Sequence, residues 1–325
     1  MLSGSIKTKD NMDITSKEIE LWNGVLIYPI GFGPGSMSRY MAEHNSVSKH
    51  KMPSRWNIPL RGYHKFVQPH LDRLKYVESI ANGMRAGFRL LDYSAAYGTG
   101  DAIMDAVNKA GLHRDDVFLT GRVTNIAQIN GVDAVKDQIR NILAQYRTDH
   151  VDLLMFHWPV TDFFENTWHV ICEAYDKGLT RSIGVANCHR HHLERLEKVG
   201  LRPMVNQFEV HPLFSQKELI KYNQDKGIVV EAYTPIARYD DRLMRLPKLH
   251  AIAHVHGKTP VQVVLRWHIQ NGCIPIVRSL NAGRQKEDFD VFDFELSKEE
   301  IDLINSFNIN SRLRYDPDNC DFTIL

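Results

Sequence analysis

The chain has 325 residues, 43% of them hydrophobic, and its 40 Lys and Arg nearly balance 39 Asp and Glu, for a formal net charge of +1. That balance gives no global attraction to nucleic acid or to an acidic membrane, and no run approaches the roughly 18 apolar residues of a membrane span. Cys172, Cys188, Cys273 and Cys320 are widely spaced and form no CxxC pair, which argues against a zinc ribbon or a disulfide framework and predicts a reducing, cytoplasmic setting.

Residues 1–17 read as a polar tail without the apolar region of a signal peptide. Residues 18–30 predict a hairpin, because Asn23-Gly24 tolerates the positive φ of a two-residue turn. Strands and helices then alternate. Strand candidates lie at 28–31, 88–91, 117–120, 151–156, 181–185, 204–208, 229–232 and 273–276. Between them, 132–146 places Val135, Ile139, Ile142, Leu143 and Tyr146 on one stripe, and 191–199 does the same with Leu193 and Leu196. Thr259-Pro260 supplies an N-cap and a first-turn proline for another helix. Eight such βα units predict a closed parallel barrel, an α/β fold, and the absence of a linker predicts one domain over 1–325.

Residues 36–70 break the rhythm as a very long insert after the first barrel strand. The insert holds Arg39, Lys49, Lys51, Arg55, Arg61 and Lys65 against Glu43 alone, a local charge of +5. It also carries Tyr40, Trp56, Tyr63 and Phe66, and it leaves the barrel on the face where active sites are built. A lid is the expectation.

The most informative stretch is Gly87-Phe88-Arg89-Leu90-Leu91-Asp92-Tyr93-Ser94-Ala95-Ala96-Tyr97-Gly98. A strand ends in an acid, and a tyrosine follows five positions later. A second strand, 151–156, ends in His157-Trp158-Pro159. An acid, a phenol and an imidazole at strand ends suggest proton transfer to a carbonyl oxygen. With RSIGVAN at 181–187, NQFEVHP at 206–212 and KTPVQVVLRW at 258–267, these motifs resemble the aldo-keto reductase family in order and spacing, from about Asn23 to Phe322. The resemblance implies a (β/α)8 TIM barrel that reduces aldehydes and ketones with NADPH. It implies Tyr97 as the acid, His157 as the group that orients the carbonyl oxygen, and Asp92 as the partner of a cation. There the chain departs from the family: Arg122 stands where the family has its catalytic lysine. A guanidinium stays charged but is larger and planar, so the exchange is not conservative.

By the same resemblance, Asn187, Gln207 and Tyr233 hold the nicotinamide, the tyrosine by stacking. Arg278, Ser279 and Arg284 clamp the 2′-phosphate, which implies NADPH/NADP+ over the unphosphorylated coenzyme. Glu287 and Asp288 are expected near the adenine and ribose. Gly31-Phe32-Gly33-Pro34-Gly35 lacks the Rossmann spacing and reads as a tight turn, with Gly33 beside the nicotinamide.

Other signals are discounted. His189, His191 and His192 lie at a helix start at spacings that do not put all three on one face, so no metal is expected. His254 and His256 read as surface histidines. Gly35 and Thr124 fall at positions often aromatic in the family's pocket, which implies a less apolar cavity. The expected function is NADP(H)-dependent interconversion of a small polar carbonyl and its alcohol: a sugar, a sugar acid or a phosphorylated aldehyde or ketone, anionic substrates included. The alternative is a catalytically weak NADP(H)-binding regulatory or interaction protein of the same fold. Neither nucleic acid nor a membrane is expected as a partner.

Overall fold

The computed structural model describes residues 18–39, 68–94 and 97–324. The polar tail and most of the expected insert, including Lys49, Lys51, Arg55 and the aromatics Tyr40, Trp56, Tyr63 and Phe66, lie outside the described residues. The insert's expected end at residue 70 is corrected. Gln68–Ala86 is the first barrel helix, α1, and Pro69 suits its first turn because no amide donor is needed there.

Strands β1 (Ile19–Glu20) and β2 (Leu26–Ile27) form the antiparallel hairpin around Asn23-Gly24, with Ile19 opposite Ile27. The eight strands that follow close into one parallel barrel: β3 (Gly31–Phe32), β4 (Leu90–Asp92), β5 (Phe118–Val123), β6 (Val151–Phe156), β7 (Thr180–Ala186), β8 (Val205–Glu209), β9 (Val229–Tyr233) and β10 (Cys273–Val277). Helices such as α2 (Gly100–Lys109) cross between them. Every residue of β5, β6 and β10 is buried, as expected when helices cover the outside and side chains fill the inside. The barrel closes where β10 meets β3, with Ile276 opposite Gly31. A Cβ on Gly31 would lie 2.4 Å from Ile276 Cδ1, so any larger residue would push the Ile276 and Leu90 side-chain ends aside.

The helix Val132–Tyr146 buries Val135, Ile139, Ile142 and Tyr146 against the barrel. Tyr146 Oη donates to the Thr120 carbonyl at 2.8 Å and ties this helix to β5. At the opposite end from the strand termini, buried Asp152 accepts from Arg114 at 2.8 Å, Arg181 at 2.9 Å and the Leu119 amide at 2.8 Å. Placement at the N-terminal end of a barrel strand makes this a stabilising cluster. The C-terminal segment returns to the barrel: the Leu313 and Arg314 amides donate to buried Glu209 at 2.6 and 2.9 Å. Cys172, Cys188, Cys273 and Cys320 are free thiols. Among the described residues, no helix is long and apolar enough to cross a membrane.

Candidate active site

The predicted site residues gather at the C-terminal ends of the strands. Asp92 ends β4, Arg122 is the penultimate residue of β5, and His157 follows β6. Asn187 follows β7, Gln207 lies in β8, Tyr233 ends β9, and Arg278 follows β10. The third candidate strand runs past the expected end at residue 120, to Val123, and Arg122 pairs with Met155 of β6. That longer strand carries the guanidinium into the barrel, where Arg122 is 5% exposed.

Arg122 meets one acid and one amide inside. Its Nε donates to Asp92 Oδ1 at 3.2 Å, and its Nη2 donates to the same oxygen. The same Nη2 also donates to Gln207 Oε1 at 2.6 Å, and Gln207 Nε2 donates to Glu231 Oε2 at 2.7 Å. Burial opposes the Arg122 charge, but Asp92, then Glu231 and Tyr97, more than offset it and hold the guanidinium above its ordinary range. Glu231 is fully buried, and among the described residues its Oε1 is without a hydrogen-bond partner. Burial, then the nearby Asp92, push its carboxyl up to about 7. Glu231 is the residue that the sequence reading missed: it lay inside a strand candidate and was counted as part of the barrel wall.

Tyr97 sits at the mouth, 41% exposed, with its ring edge-on to Tyr93 at 5.3 Å between centroids. Among the described residues its hydroxyl makes no hydrogen bond, so it is open to an incoming oxygen. His157 is half-buried. Burial, then the Arg122 and Arg314 charges, depress its imidazole to about 3, which keeps it neutral at physiological pH. A permanent cation, an open phenol and a neutral imidazole form a site able to polarise a carbonyl oxygen and supply it with a proton.

Beside this group, Asn187 adopts a left-handed φ of 61°. Its Nδ2 donates to the His157 carbonyl at 2.9 Å, and its Oδ1 accepts from Tyr233 Oη at 2.7 Å. Burial, then Glu209, raise the Tyr233 phenol well above its ordinary range, so it stays protonated as this donor. The amide of Gln207 is part-used by Arg122 and Glu231, with one N–H left for a ligand.

On the rim, Arg278 and Arg284 are exposed on either side of buried Ser279, and Arg284 Nε reaches Ser279 Oγ at 3.3 Å. Two guanidiniums and a hydroxyl suit a dianion. Glu287 accepts from Thr259 Oγ1 at 2.8 Å, while Asp288 is buried, and that burial, then Glu287, raise its carboxyl to about 7. Gly33 lies between the two groups; a Cβ there would come within 3.4 Å of the Asp92 carbonyl. Gly35 has φ +70°, and a Cβ on it would meet Arg278 Nε at 2.8 Å. Thr124 caps the short helix Asn125–Ile129.

Two readings of histidines are corrected. His189, His191 and His192 do converge: all three rings turn toward Asp318 on the C-terminal segment. The helix there starts only at Arg190, so His189 precedes it and is not bound by helical spacing. His256 is not a free surface group, since its Nε2 lies 3.0 Å from Glu300 in a half-buried pair.

The sequence model of the Aldo/keto reductase family matches residues 70–309. An uncharacterized oxidoreductase of Bacillus subtilis, YtbE, is 37% identical over 251 residues, covering 76% of this chain and 88% of that protein. The glyoxal reductase of the same organism is 36% identical over 242 residues, 74% of this chain and 86% of that protein. The crystal structure of a Bombyx mori aldo-keto reductase in complex with NADP superposes with a TM-score of 0.76 at 27% identity, covering 93% of this chain and 95% of that one. On this sequence match and this arrangement of strand-end residues, the chain belongs to the aldo/keto reductase family of oxidoreductases.

Proposed function

We propose that this protein is an NADP(H)-dependent reductase of a small polar carbonyl compound (a sugar, a sugar acid or a phosphorylated aldehyde or ketone), or that it runs the reverse oxidation. The observation that carries the reading is the buried Arg122–Asp92 pair, set below an open Tyr97 and beside a neutral His157. The named function of the Bacillus subtilis relative, glyoxal reduction, and the NADP complex of the silkworm protein support this chemistry.

The residues fit the coenzyme. Arg278, Ser279 and Arg284 would hold the 2′-phosphate, Asn187 and Gln207 the carboxamide, and Tyr233 the face of the nicotinamide ring. When bound, NADPH supplies the hydride. His157 donates a hydrogen bond to the carbonyl oxygen and sets its direction. Tyr97 gives that oxygen its proton, and the negative charge left on the phenol faces Arg122. Because Arg122 never deprotonates, this cation is present at every working pH. Gly35 and Thr124 leave room for polar substituents, and the +5 charge of the insert favours an anionic substrate. We read the whole chain as one barrel domain, and its free thiols support a reducing, cytoplasmic setting.

A second reading draws on Arg122 itself: an NADP(H)-binding protein of the same fold with little turnover, acting through a partner. One experiment separates the two. NADPH affinity and turnover are measured across a panel of aldoses, uronic acids and sugar phosphates. Turnover of any of these supports the reductase, while tight NADPH binding without turnover supports the binder. Replacing Lys49, Lys51 and Arg55 with Ser should raise KM for an anionic substrate more than for a neutral one. The difference should shrink as salt screens charges beyond about 8 Å at physiological strength.

A further inference from the structure

The C-terminal segment and the stretch after β7 build a second cluster outside the catalytic group. His189 Nδ1 lies 2.7 Å from Asp318 Oδ2, His191 Nε2 lies 3.1 Å from Asp318 Oδ1, and His192 Nε2 lies 3.6 Å from that oxygen. Asp316 brings a second carboxylate, whose oxygen lies within 4.8 Å of the His189 and Asp318 donor atoms. Donor atoms held tetrahedrally at the zinc distance of about 2.0–2.1 Å stand roughly 3.3 Å apart. The three separations from Asp318 straddle that length; His189, Asp316 and Asp318 form one close triad, and His191 and His192 form another with the same Asp318.

The three histidines have different roles. His192 is 6% exposed, and its Nδ1 accepts from the His189 amide at 3.1 Å. Its Nε2 therefore carries the ring proton and faces Asp318 Oδ1 from 3.6 Å, just beyond hydrogen-bond length. A neutral imidazole that orients a carboxylate is the usual outer partner of a metal ligand. His189 and His191 are more open, with side chains 23% and 56% exposed, and of the two only His189 shares a close triad with both carboxylates. Asp316 Oδ1 accepts from the Asp318 amide at 3.1 Å, and Asp316 Oδ2 is in a loose ion pair with Arg312 at 3.9 Å.

We propose that His189, Asp316 and Asp318 form a binding site for a divalent transition ion of the zinc type, with His192 beside Asp318. An imidazole with two carboxylates suits zinc better than magnesium or calcium, which take oxygen ligands alone. The site is structural. It joins the stretch that carries Asn187 to the segment that carries Arg314, whose charge acts on His157.

The test uses the full-length protein, stripped with a chelator, then titrated with Zn2+ by calorimetry and with Co2+ by visible absorption. The expected result is one tight ion per chain, a tetrahedral cobalt spectrum, and a rise in Tm with zinc. Asp318→Asn and His189→Ala should each weaken zinc at least tenfold. His192→Gln, an outer-partner change, should cost about 10- to 100-fold. NADPH affinity, measured on each variant, should remain as in the parent and shows that the barrel is folded. Zinc binding no tighter than about 1 mM, or parent affinity for zinc in Asp318→Asn and His189→Ala, overturns the proposal.

Discussion

Arg122 Nη2 lies 2.6 Å from Gln207 Oε1, although the two residues are 85 positions apart in sequence and on strands separated by two others around the barrel. The same nitrogen donates to Asp92. The guanidinium is thus a bridge between a carboxylate and an amide, and that amide goes on to Glu231. A lysine carries a single nitrogen on a thinner stem, and in this enclosure it would keep Asp92 and release Gln207. An unsatisfied buried acceptor costs about 1–3 kcal/mol. Spent on positioning, that corresponds to roughly a 5- to 150-fold loss, at tenfold per 1.36 kcal/mol. Arg122→Lys should therefore lower kcat on the aldehyde panel. A large gain in kcat would show instead a degenerate site that lysine repairs, and would favour the coenzyme-binding reading.

Tyr97→Phe should abolish most carbonyl turnover, by about 100-fold or more if general-acid catalysis is lost. NADPH affinity should stay close to the parent value, because the phenol points to the mouth. Steady-state kinetics with a parallel fluorescence titration of NADPH would check both. Turnover retained in this variant would remove Tyr97 from the mechanism.

Glu231→Gln should change how stability depends on pH. The carboxyl is raised to about 7 in the folded protein, against about 4.3 in an unfolded chain. Between these values the folded chain keeps a proton that the unfolded chain has released, so Glu231 makes stability fall as pH rises from about 4 to about 7. The glutamine can still accept from Gln207 but does not titrate. Its Tm relative to the parent should therefore rise between pH 5 and pH 8. A pH-independent difference would exclude Glu231 as the titrating group.

Arg284→Ala should weaken NADPH and leave NADH nearly unchanged. One charge-assisted contact is worth about 1.5–3 kcal/mol, which is roughly 10- to 100-fold in affinity. Equal losses for both coenzymes would place Arg284 away from the 2′-phosphate.

Where local pattern alone decides structure, the sequence was legible. The stripe from Val135 to Tyr146 gives the helix Val132–Tyr146 with its observed ends, and the run 151–156 gives β6. The strand-end placement of the candidate residues was also legible, because motifs tie residues to strand ends. The inner part was not. Glu231 sits in an apolar-looking strand, and only closure of the barrel shows that its carboxyl faces Gln207 and Arg122. The partner of His189 is 129 residues away, on a segment with no periodic signal. The strand bearing Arg122 was read too short, since Gly121 and a charged residue weaken the apolar pattern that marks a strand. Gly121 is there because Ile142 Cγ2 would lie 2.9 Å from its Cβ.

Position 35 links two properties that an engineer would prefer to vary separately. On the proposed function it borders the substrate cavity, while a Cβ there would press on Arg278 Nε at 2.8 Å, and its φ of +70° disfavours any other side chain. A bulky residue introduced to suit a lipophilic substrate would push the arginine off the phosphate side. Selection for a new substrate at this position would therefore carry a shift toward the unphosphorylated coenzyme. Substrate range and the choice of reducing pool would then evolve as one trait, hinged on a single missing methyl group.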